Sequence, residues 1–414
     1  MRDKCLFSLF FFTFITIVSS YACTSIIVSG RLTADGRPFL LKNLDDTRKD
    51  VALIVCNGEK FRYIAITNNT NDMVRPNRVS SGFNETGFSI INTAAHNLNG
   101  IERDWAENTR VLRHALEICK TLKDFETLLD TLPKPLHIDS NYGVMDAQGG
   151  VAYYETGNKG YVKYDANDPK IAPDGYLIRT NFGISGNKLL RFGYERYIAM
   201  EMYIDRVKTN GKIRFEDVIR GATRFLTHGD TKVNLYKYEP ENDKKPVFVD
   251  FKDFIPRSVT VSAQLIQGIK KGESPLETTA WTMCGFPLTT VCIPIWLTKN
   301  NELPKIVSRS SNRHSMICDA GLALKKRLFP NDKKRKKNEI NLAQLINKSG
   351  TGIMQKIKPI EDNVFLRARD VQATIRKEGT NSQKVADFYA WVDQYVTSEY
   401  KKRFGIMFDS RHVN

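Results

Sequence analysis

Apolar and polar residues alternate over much of the first 180 positions in a pattern that predicts paired β-strands. Segments 24–28 and 38–41 predict one hairpin, joined across the turn Ala34-Asp35-Gly36. Segments 51–55 and 61–66 predict a second hairpin by the same pattern. Further strands are predicted at 88–92, 142–146, 151–154 and 176–180.

Helical periodicity appears first over 109–129, where apolar residues recur about every 3.6 positions. Pro133 and Pro135 follow, and they predict that this helix has ended. Further helices are predicted at 194–208, 215–227, 342–346 and 383–404. Strands followed by helices and then by strands again indicate an α+β fold rather than a doubly wound parallel sheet.

The first 22 residues have a pattern of their own. Arg2 and Lys4 precede an apolar run over 6–18, and small residues lead to Ala22. This is the pattern of a secretory signal peptide cut after Ala22, and the apolar run is too short to span a bilayer. We therefore predict a secreted or periplasmic protein that begins at Cys23.

A cysteine at a processed N-terminus carries a thiol and a free α-amine on one residue. The thiol has an ordinary pKa near 8.5 and the amine one near 7.7–8.0, so the amine can accept the thiol proton at neutral pH. It can later return that proton to a leaving amine. No histidine, metal or cofactor is needed for this chemistry, and none of the six histidines lies in a Cys/His motif.

Three motifs follow one another at the start of the predicted mature chain: Cys23-Thr-Ser-Ile-Ile-Val, Asp35-Gly36-Arg37-Pro38 and Lys42-Asn43-Leu44-Asp45. They resemble the opening of the N-terminal nucleophile (Ntn) hydrolases, and within them the choloylglycine hydrolase and isopenicillin N acyltransferase-like group. The resemblance covers roughly residues 23–300 and continues through Gly82-Phe-Asn-Glu-Thr-Gly-Phe, Asn141-Tyr-Gly-Val-Met-Asp-Ala-Gln-Gly, Arg179-Thr-Asn181 and Thr279-Ala-Trp-Thr-Met-Cys-Gly-Phe-Pro. It implies a four-layer αββα sandwich and the hydrolysis of a linear C–N bond, usually an N-acyl amide.

The resemblance also assigns roles by position. It makes Cys23 the nucleophile, its amine the base and Asp45 the anchor of that amine. Lys42 stands where the family has an arginine beside the sulfur, and lysine lacks the planar fork of a guanidinium. A cation is kept there, but its geometry differs.

The oxyanion donors are assigned in the same way. Asn181 matches the asparagine whose side-chain amide donates to the oxyanion, and one such donor is typically worth about 3 kcal/mol of barrier. The second donor comes from the strand after Gly87, near Asn92 or Thr93. Arg196 matches a supporting arginine near the site.

Composition limits the domain organisation and the partners. The 414 residues carry a net charge of +16 with 41% hydrophobic residues, which suits a globular protein. A basic block over 325–337 has no stacking aromatics or nucleic-acid motif beside it, so we expect no nucleic-acid partner. The predicted division is a signal peptide (1–22), an Ntn-hydrolase domain (23–324), a basic, mobile segment (325–340) and a C-terminal helical extension packed on the same domain (341–414).

Other interpretations remain open from the sequence. Asp45 can be a turn residue, and Asn181 can be an ordinary strand-end cap. A dipeptidase of the same superfamily would share the opening motifs, whereas a lipid anchor on Cys23 would acylate the amine and leave a non-catalytic surface protein. The leading prediction is an amidohydrolase with a small-molecule amide substrate, no cofactor, and membrane contact only if Cys23 is lipidated; a homo-oligomer is compatible with the resemblance.

Overall fold

The computed structural model describes residues 22–68, 78–99, 105–309, 314–331, 336, 338–380 and 383–408, with only the backbone of residues 105 and 106. Its strands are β1 (Cys23–Val28), β2 (Phe39–Asp45), β3 (Ala52–Asn57), β4 (Arg62–Thr67), β5 (Val79–Asn84), β6 (Ser89–Ala94), β7 (Ser140–Met145), β8 (Val151–Gly157), β9 (Gly160–Asp165), β10 (Tyr176–Arg179), β11 (Phe248–Asp250), β12 (Thr260–Gln267), β13 (Thr279–Cys284), β14 (Ile293–Ile295) and β15 (Glu339–Asn341). Its helices are α1 (Trp105–Ile118), α2 (Leu122–Thr131), α3 (Tyr194–Val207), α4 (Phe215–Gly221), α5 (Met316–Leu328), α6 (Leu342–Leu345), α7 (Ile353–Glu378) and α8 (Gln383–Phe404).

Two antiparallel sheets form the centre of the molecule. One has six strands in the order β10-β1-β2-β12-β13-β14, and the other is a seven-stranded meander from β3 to β9. The predicted first hairpin is confirmed, because β1 pairs with β2 from Cys23 opposite Leu44 to Val28 opposite Phe39. A separate two-stranded ribbon joins β11 to β15.

The two sheets face each other directly. Ser25 on β1 and Tyr153 on β8 share a hydrogen bond of 2.7 Å between their hydroxyl oxygens. Ser81 on β5 donates to Gln264 Oε1 on β12 at 2.7 Å. A Cβ at Gly143 would lie 2.9 Å from the Ile27 methyl carbon, so a side chain there would push the sheets apart.

Helices cover both outer faces. On the seven-stranded sheet, Phe125 of α2 packs edge-on against Tyr142 and Tyr154. On the six-stranded sheet, Trp281 of β13 stacks on Phe365 of α7 with ring centroids 4.5 Å apart. This order of helix, sheet, sheet and helix confirms the predicted α+β four-layer αββα sandwich.

Most of the predicted helices are confirmed, with two changes of boundary. The segment 109–129 divides into α1 and α2, because Thr121 and Asp124 form a capping box that starts a new helix. The segment 215–227 is α4 followed by a turn of 3₁₀ helix at Ala222–Arg224. Helices α5 and α7 were not predicted; α7 is 26 residues long and continues past Pro359.

The C-terminal helices contact the six-stranded sheet through buried polar groups. Tyr389 on α8 accepts a hydrogen bond from the backbone N–H of Trp296 and donates to the carbonyl oxygen of the same residue. Glu361 on α7 is fully buried and accepts two bonds of 2.8 Å from Arg224. These contacts place α7 and α8 on the outer face of the sandwich.

The prediction of a mobile basic segment from residue 325 onwards is wrong at its start. Lys325 belongs to α5, is buried, and donates from Nζ to the carbonyl oxygen of Thr260 at 2.8 Å. Its ammonium also lies 4.3 Å from the centre of the Phe286 ring, and burial lowers the lysine pKa to about 7. Residues 332–335 and 337, which carry half of the remaining net charge of this block, lie outside the described residues.

Residues 1–21 of the predicted signal peptide lie outside the described residues, and no described helix is both long and apolar enough to cross a bilayer. All six described cysteines are free thiols.

Candidate active site

Cys23 is the first residue of β1, at the edge of a small cavity between the two sheets. The cavity has a volume of about 60 Å³. Apolar and polar residues of β2, β5 and β6 form most of its wall, and neighbouring segments complete it. The lining residues are Lys42, Leu44, Asp45, Asp46, Asn68, Arg78, Val79, Ser80, Asn92, Ala94, Asn108 and Thr109. Cavities of about 570 Å³ lie elsewhere on the surface, but they hold no cysteine.

The backbone of Cys23 is held by two of the predicted residues. Its nitrogen donates to Asn181 Oδ1 at 3.0 Å. Arg196 Nη1 donates to the Cys23 carbonyl oxygen at 2.5 Å and to Thr24 Oγ1 at 2.8 Å. Asn181 follows β10, and Arg196 lies in the first turn of α3, so the β10–α3 connection brings both to the start of β1.

Arg196 also fixes which way the Asn181 amide points. Its Nη2 donates to Asn181 Oδ1 at 2.7 Å, and a guanidinium can only donate, so the amide oxygen must face Arg196 and Cys23. The amide nitrogen then faces the other way, and it donates to the carbonyl oxygen of Ala94 at 3.1 Å. Ala94 lines the cavity and Asn181 does not, so the donor edge of Asn181 lies directly behind that part of the cavity wall.

Lys42 on β2 lies close enough to the thiol to lower its pKa. Its ammonium donates to the carbonyl oxygen of Ser80 at 2.8 Å and to Asn92 Oδ1 at 2.9 Å. Asn92 in turn donates to Ser140 Oγ at 3.2 Å, so its amide orientation is fixed as well. Burial lowers the pKa of Lys42, whereas the neighbouring Cys23, Asp46 and Asp45 raise it.

The Cys23 thiol is subject to opposing effects. Burial raises its pKa, and the Asp45 carboxylate adds to that rise. The Lys42 and Arg196 cations and the backbone N–H of Asp45 lower it. The thiol is therefore set in a place where burial opposes the thiolate and nearby cations favour it.

Asp45 lies at the end of β2, and its contacts differ from those of a simple turn residue. Thr260 Oγ1 donates to one carboxylate oxygen at 2.5 Å, and Arg257 Nη1 donates to the other at 3.3 Å. Its backbone N–H donates to the carbonyl oxygen of Ala22 at 3.0 Å. Burial raises the Asp45 pKa, while Arg257, Arg196 and Thr260 lower it.

The structure thus brings together all six residues that the sequence proposed: Cys23, Lys42, Asp45, Asn92, Asn181 and Arg196. Sequence reasoning missed Thr260 and Arg257, which are more than 200 positions from Asp45 and carry no motif. It also missed Ser80, which lines the cavity and whose hydroxyl has no hydrogen-bond partner among the described residues. No group of three or more His, Cys, Asp or Glu side chains within the described ranges is placed to hold a metal ion.

Comparisons with known proteins find similarity only among solved structures. No protein-family model and no curated protein matches the chain. A conjugated bile acid hydrolase from Clostridium perfringens is 11% identical, with a TM-score of 0.41 over 68% of this chain and 93% of that one. A penicillin V acylase from Agrobacterium tumefaciens is 11% identical, with a TM-score of 0.39 over 67% of this chain and 87% of that one.

A penicillin G acylase from Alcaligenes faecalis is similar over a shorter part. It is 9% identical, with a TM-score of 0.34 over 47% of this chain and 51% of that one. At such identities and TM-scores the likeness carries no argument about function, and the four-layer fold is described above from the contacts of this chain itself.

Proposed function

We propose that the mature protein is a cysteine amidohydrolase that cleaves a linear, N-acyl type amide through a thioester on Cys23. The observation that carries this proposal is the set of contacts around one buried thiol. Asn181 and Arg196 fix the backbone of Cys23, and Lys42 places a cation beside the sulfur. A structural cysteine in a strand needs none of these charges.

The first step is attack of the Cys23 sulfur on the substrate carbonyl. Once the bond after Ala22 is cut, the Cys23 nitrogen is an amine and can take the thiol proton. Removal of Ala22 also takes away the carbonyl oxygen that accepts from the backbone N–H of Asp45. That N–H is one of the groups that lower the thiol pKa, so the cut leaves it to stabilise the thiolate.

The oxyanion that forms next needs donors at the cavity wall. We assign one to the side-chain amide of Asn181, whose nitrogen already lies beside Ala94. The second comes from β6 near Asn92 or Thr93. Arg196 acts by positioning, because its guanidinium holds the Asn181 oxygen and so sets the direction of the donor.

The C–N bond then breaks, and the leaving amine takes the proton held by the Cys23 α-ammonium. Water attacks the thioester carbonyl, gives up a proton to the α-amine, and releases the acid with the thiol restored. Asp45, held by Thr260 and Arg257, keeps a negative charge near the ammonium that forms in the first half. We further propose that this chemistry takes place outside the cytoplasm, after removal of residues 1–22.

A dipeptidase is the second candidate, and one observation favours it. The cavity wall includes charges of both signs, since Arg78 lies 3.9 Å from Asp46 and both line the cavity. The free ends of a dipeptide would find partners there. A lipid anchor on Cys23 has no such support, because the residue is buried at the start of β1 and its nitrogen bonds to Asn181.

Replacement of the nucleophile tests the proposal. Mature protein should hydrolyse N-acyl amino acids or amides, and Cys23→Ala should lose turnover by a factor of about 10⁴ or more. Cys119→Ala is the matched control. Cys119 is a buried thiol just after α1, packed among the residues between the helices and the seven-stranded sheet, and its loss should leave turnover unchanged. Parallel assays on dipeptides separate the two candidates. Full turnover in Cys23→Ala would contradict both.

A further inference from the structure

Exposed apolar side chains are concentrated in one short segment next to the site. We call residues 184–194 the apolar loop. Of the thirteen exposed large hydrophobic residues in the described part of the chain, five lie within its eleven positions: Ile184, Leu189, Leu190, Phe192 and Tyr194. Leu189 is 91% exposed, which is the highest value among the thirteen. Monomeric surfaces rarely leave such a cluster uncovered without a use for it.

The apolar loop is held in place by buried polar groups at its base. The backbone N–H groups of Ile184 and Ser185 donate to the Glu155 carboxylate at 2.7 Å each. Glu155 itself is buried and paired with Arg179. Asn97 accepts from Gly183 N–H at 2.7 Å. These bonds fix the start of the apolar loop against β8 and the segment after β6.

Two residues of the candidate site flank the apolar loop in the sequence. Asn181 precedes it, and Arg196 follows it within the first turn of α3. The loop also packs on the segment after β6, where the His96 and Phe192 rings meet edge-on at 5.4 Å. A surface that contacts the loop therefore contacts the same β10–α3 connection that holds the backbone of Cys23.

The charge of the apolar loop indicates what kind of partner it contacts. Lys188 and Arg191 are exposed among the apolar side chains, and no acidic residue occurs between 184 and 194. Arg191 also lies 5.3 Å from the Tyr194 ring centre. Leucine, aromatic and basic residues on one exposed segment suit the boundary of an anionic lipid layer. A second copy of the chain is disfavoured, because a stable protein interface uses about 20–30 residues a side.

We propose that the apolar loop docks the protein on an anionic lipid surface and brings long-chain acyl amides held there to Cys23. The lipid contact itself needs no catalysis, and only its link to the substrate rests on the proposed function. Leu189 and Leu190 enter the acyl boundary, while Lys188 and Arg191 meet the anionic head groups. The substrate class is thereby narrowed to amides whose acyl chain partitions into lipid.

Vesicle sedimentation tests the docking surface. Mature protein is mixed with vesicles of equal parts phosphatidylglycerol and phosphatidylcholine, and the bound fraction is measured. We expect binding that falls with added salt, and that falls about tenfold or more in Leu189→Ser/Leu190→Ser. Lys188→Glu/Arg191→Glu should lose the preference for phosphatidylglycerol. Leu366→Ser is the matched control: Leu366 is 61% exposed on α7, and its loss should change nothing.

Activity assays then separate the lipid contact from the chemistry. In Leu189→Ser/Leu190→Ser, turnover of a short, water-soluble acyl amide should equal that of the unmodified protein, whereas turnover of a long-chain amide in vesicles should fall with binding. If the unmodified protein binds vesicles but hydrolyses neither amide, the proposed function fails and the docking surface stands. Absence of vesicle binding, equal binding by the double serine variant, or a loss of dimer rather than of lipid binding in that variant would overturn the docking proposal.

Discussion

Lys42 is the residue at which the chain departs from the family pattern that it resembles. Its ammonium is oriented by Ser80 and Asn92, and it is the largest of the effects that lower the Cys23 pKa. A guanidinium is rigid by itself, whereas a lysine side chain is flexible. Here the two fixed acceptors restrain the lysine ammonium, so a lysine can take the place of the arginine. The cation is kept beside the thiol by its neighbours rather than by its own shape.

Replacing Lys42 should therefore change the titration of the thiol. Lys42→Met removes the cation while burial still raises the Cys23 pKa, so the pH at which the thiol becomes reactive should move upward. Each unit of rise lowers the thiolate fraction at a given lower pH about tenfold. The rate of iodoacetamide alkylation of Cys23, followed against pH, measures this. Lys42→Arg should keep the midpoint near that of the unmodified protein, and an unchanged midpoint in Lys42→Met would contradict the assignment.

Single residues of the site could be predicted only where a motif carried them. Cys23, Lys42 and Asp45 lie within 23 positions of one another, and Asn181 ends a predicted strand. Thr260 and Arg257 lie on the strand that pairs with β2 or just before it, and only the folded register brings them to Asp45. Residues so far apart in the sequence form no local motif from which their contact with Asp45 could be predicted.

At the scale of elements, α7 is attached to the sandwich by a buried charge. Glu361 accepts from Arg224, from Arg220 and from the backbone N–H of Cys292. Burial raises its pKa, but the two arginines and that N–H outweigh burial and leave the pKa lowered. A buried carboxylate that keeps its charge in this way fixes one position of α7 on the sheet.

Loss of that carboxylate should be costly. Glu361→Ala leaves Arg224 buried without its partner, and we expect the free energy of unfolding in urea to fall by about 3–5 kcal/mol. Asp362→Ala is the matched control: Asp362 is the next residue, lies near the surface and also pairs with Arg220. Loss of the Asp362 carboxylate should lower the free energy of unfolding by about 1 kcal/mol or less. Equal costs for the two variants would contradict the anchoring role of Glu361.

The same carboxylate has a predictable pH dependence. Its pKa is lower in the folded protein than the ordinary value of 4.5, so its contribution to stability is complete above 4.5. That contribution is lost as the pH falls through the folded pKa. Stability curves of the unmodified protein and Glu361→Ala should therefore converge at acid pH.

Elements with a strong local pattern were predictable, and those defined by long-range packing were not. Hairpins such as β1–β2 and the amphipathic α8 follow from period and turn residues. Helix α7 buries residues along its whole length. In the sequence, however, Pro359 and the charged residues of its outer face hide the helical repeat of its apolar residues. The burial of Lys325 could not be predicted for the same reason. Its place in a run of basic residues predicts exposure, whereas its contact with Thr260 buries it.

At the scale of the whole molecule, the two facing sheets place Cys23 at the edge of the candidate cavity. The hairpin β1–β2 sits at the centre of the six-stranded sheet, between β10 and β12. Asn181 and Arg196 come from one side of β1, and Lys42, Asp45 and Asn92 come from the neighbouring strand and the facing sheet. Residues from both sheets therefore converge on the position where processing would create a new N-terminus.

Processing is the step on which the account depends. While Ala22 is attached, the Cys23 nitrogen is an amide without a basic lone pair, and the Ala22 carbonyl oxygen occupies the backbone N–H of Asp45. Protein that begins at Ala22 should then lack the base, and its Asp45 N–H is shared between the Ala22 carbonyl oxygen and the thiol. In protein that begins at Cys23 the base is present, and that N–H is left to the thiol alone.

The most direct test is to trap the thioester. Protein beginning at Cys23 and protein beginning at Ala22 are each mixed with an N-acyl amide, quenched in acid within one turnover, and digested for mass spectrometry. We predict an acyl adduct on the Cys23 peptide of the first protein, at least about 10² times more abundant than in the second. Equal adduct in both proteins, or steady turnover in the first with no adduct and no loss in Cys23→Ala, would contradict the account.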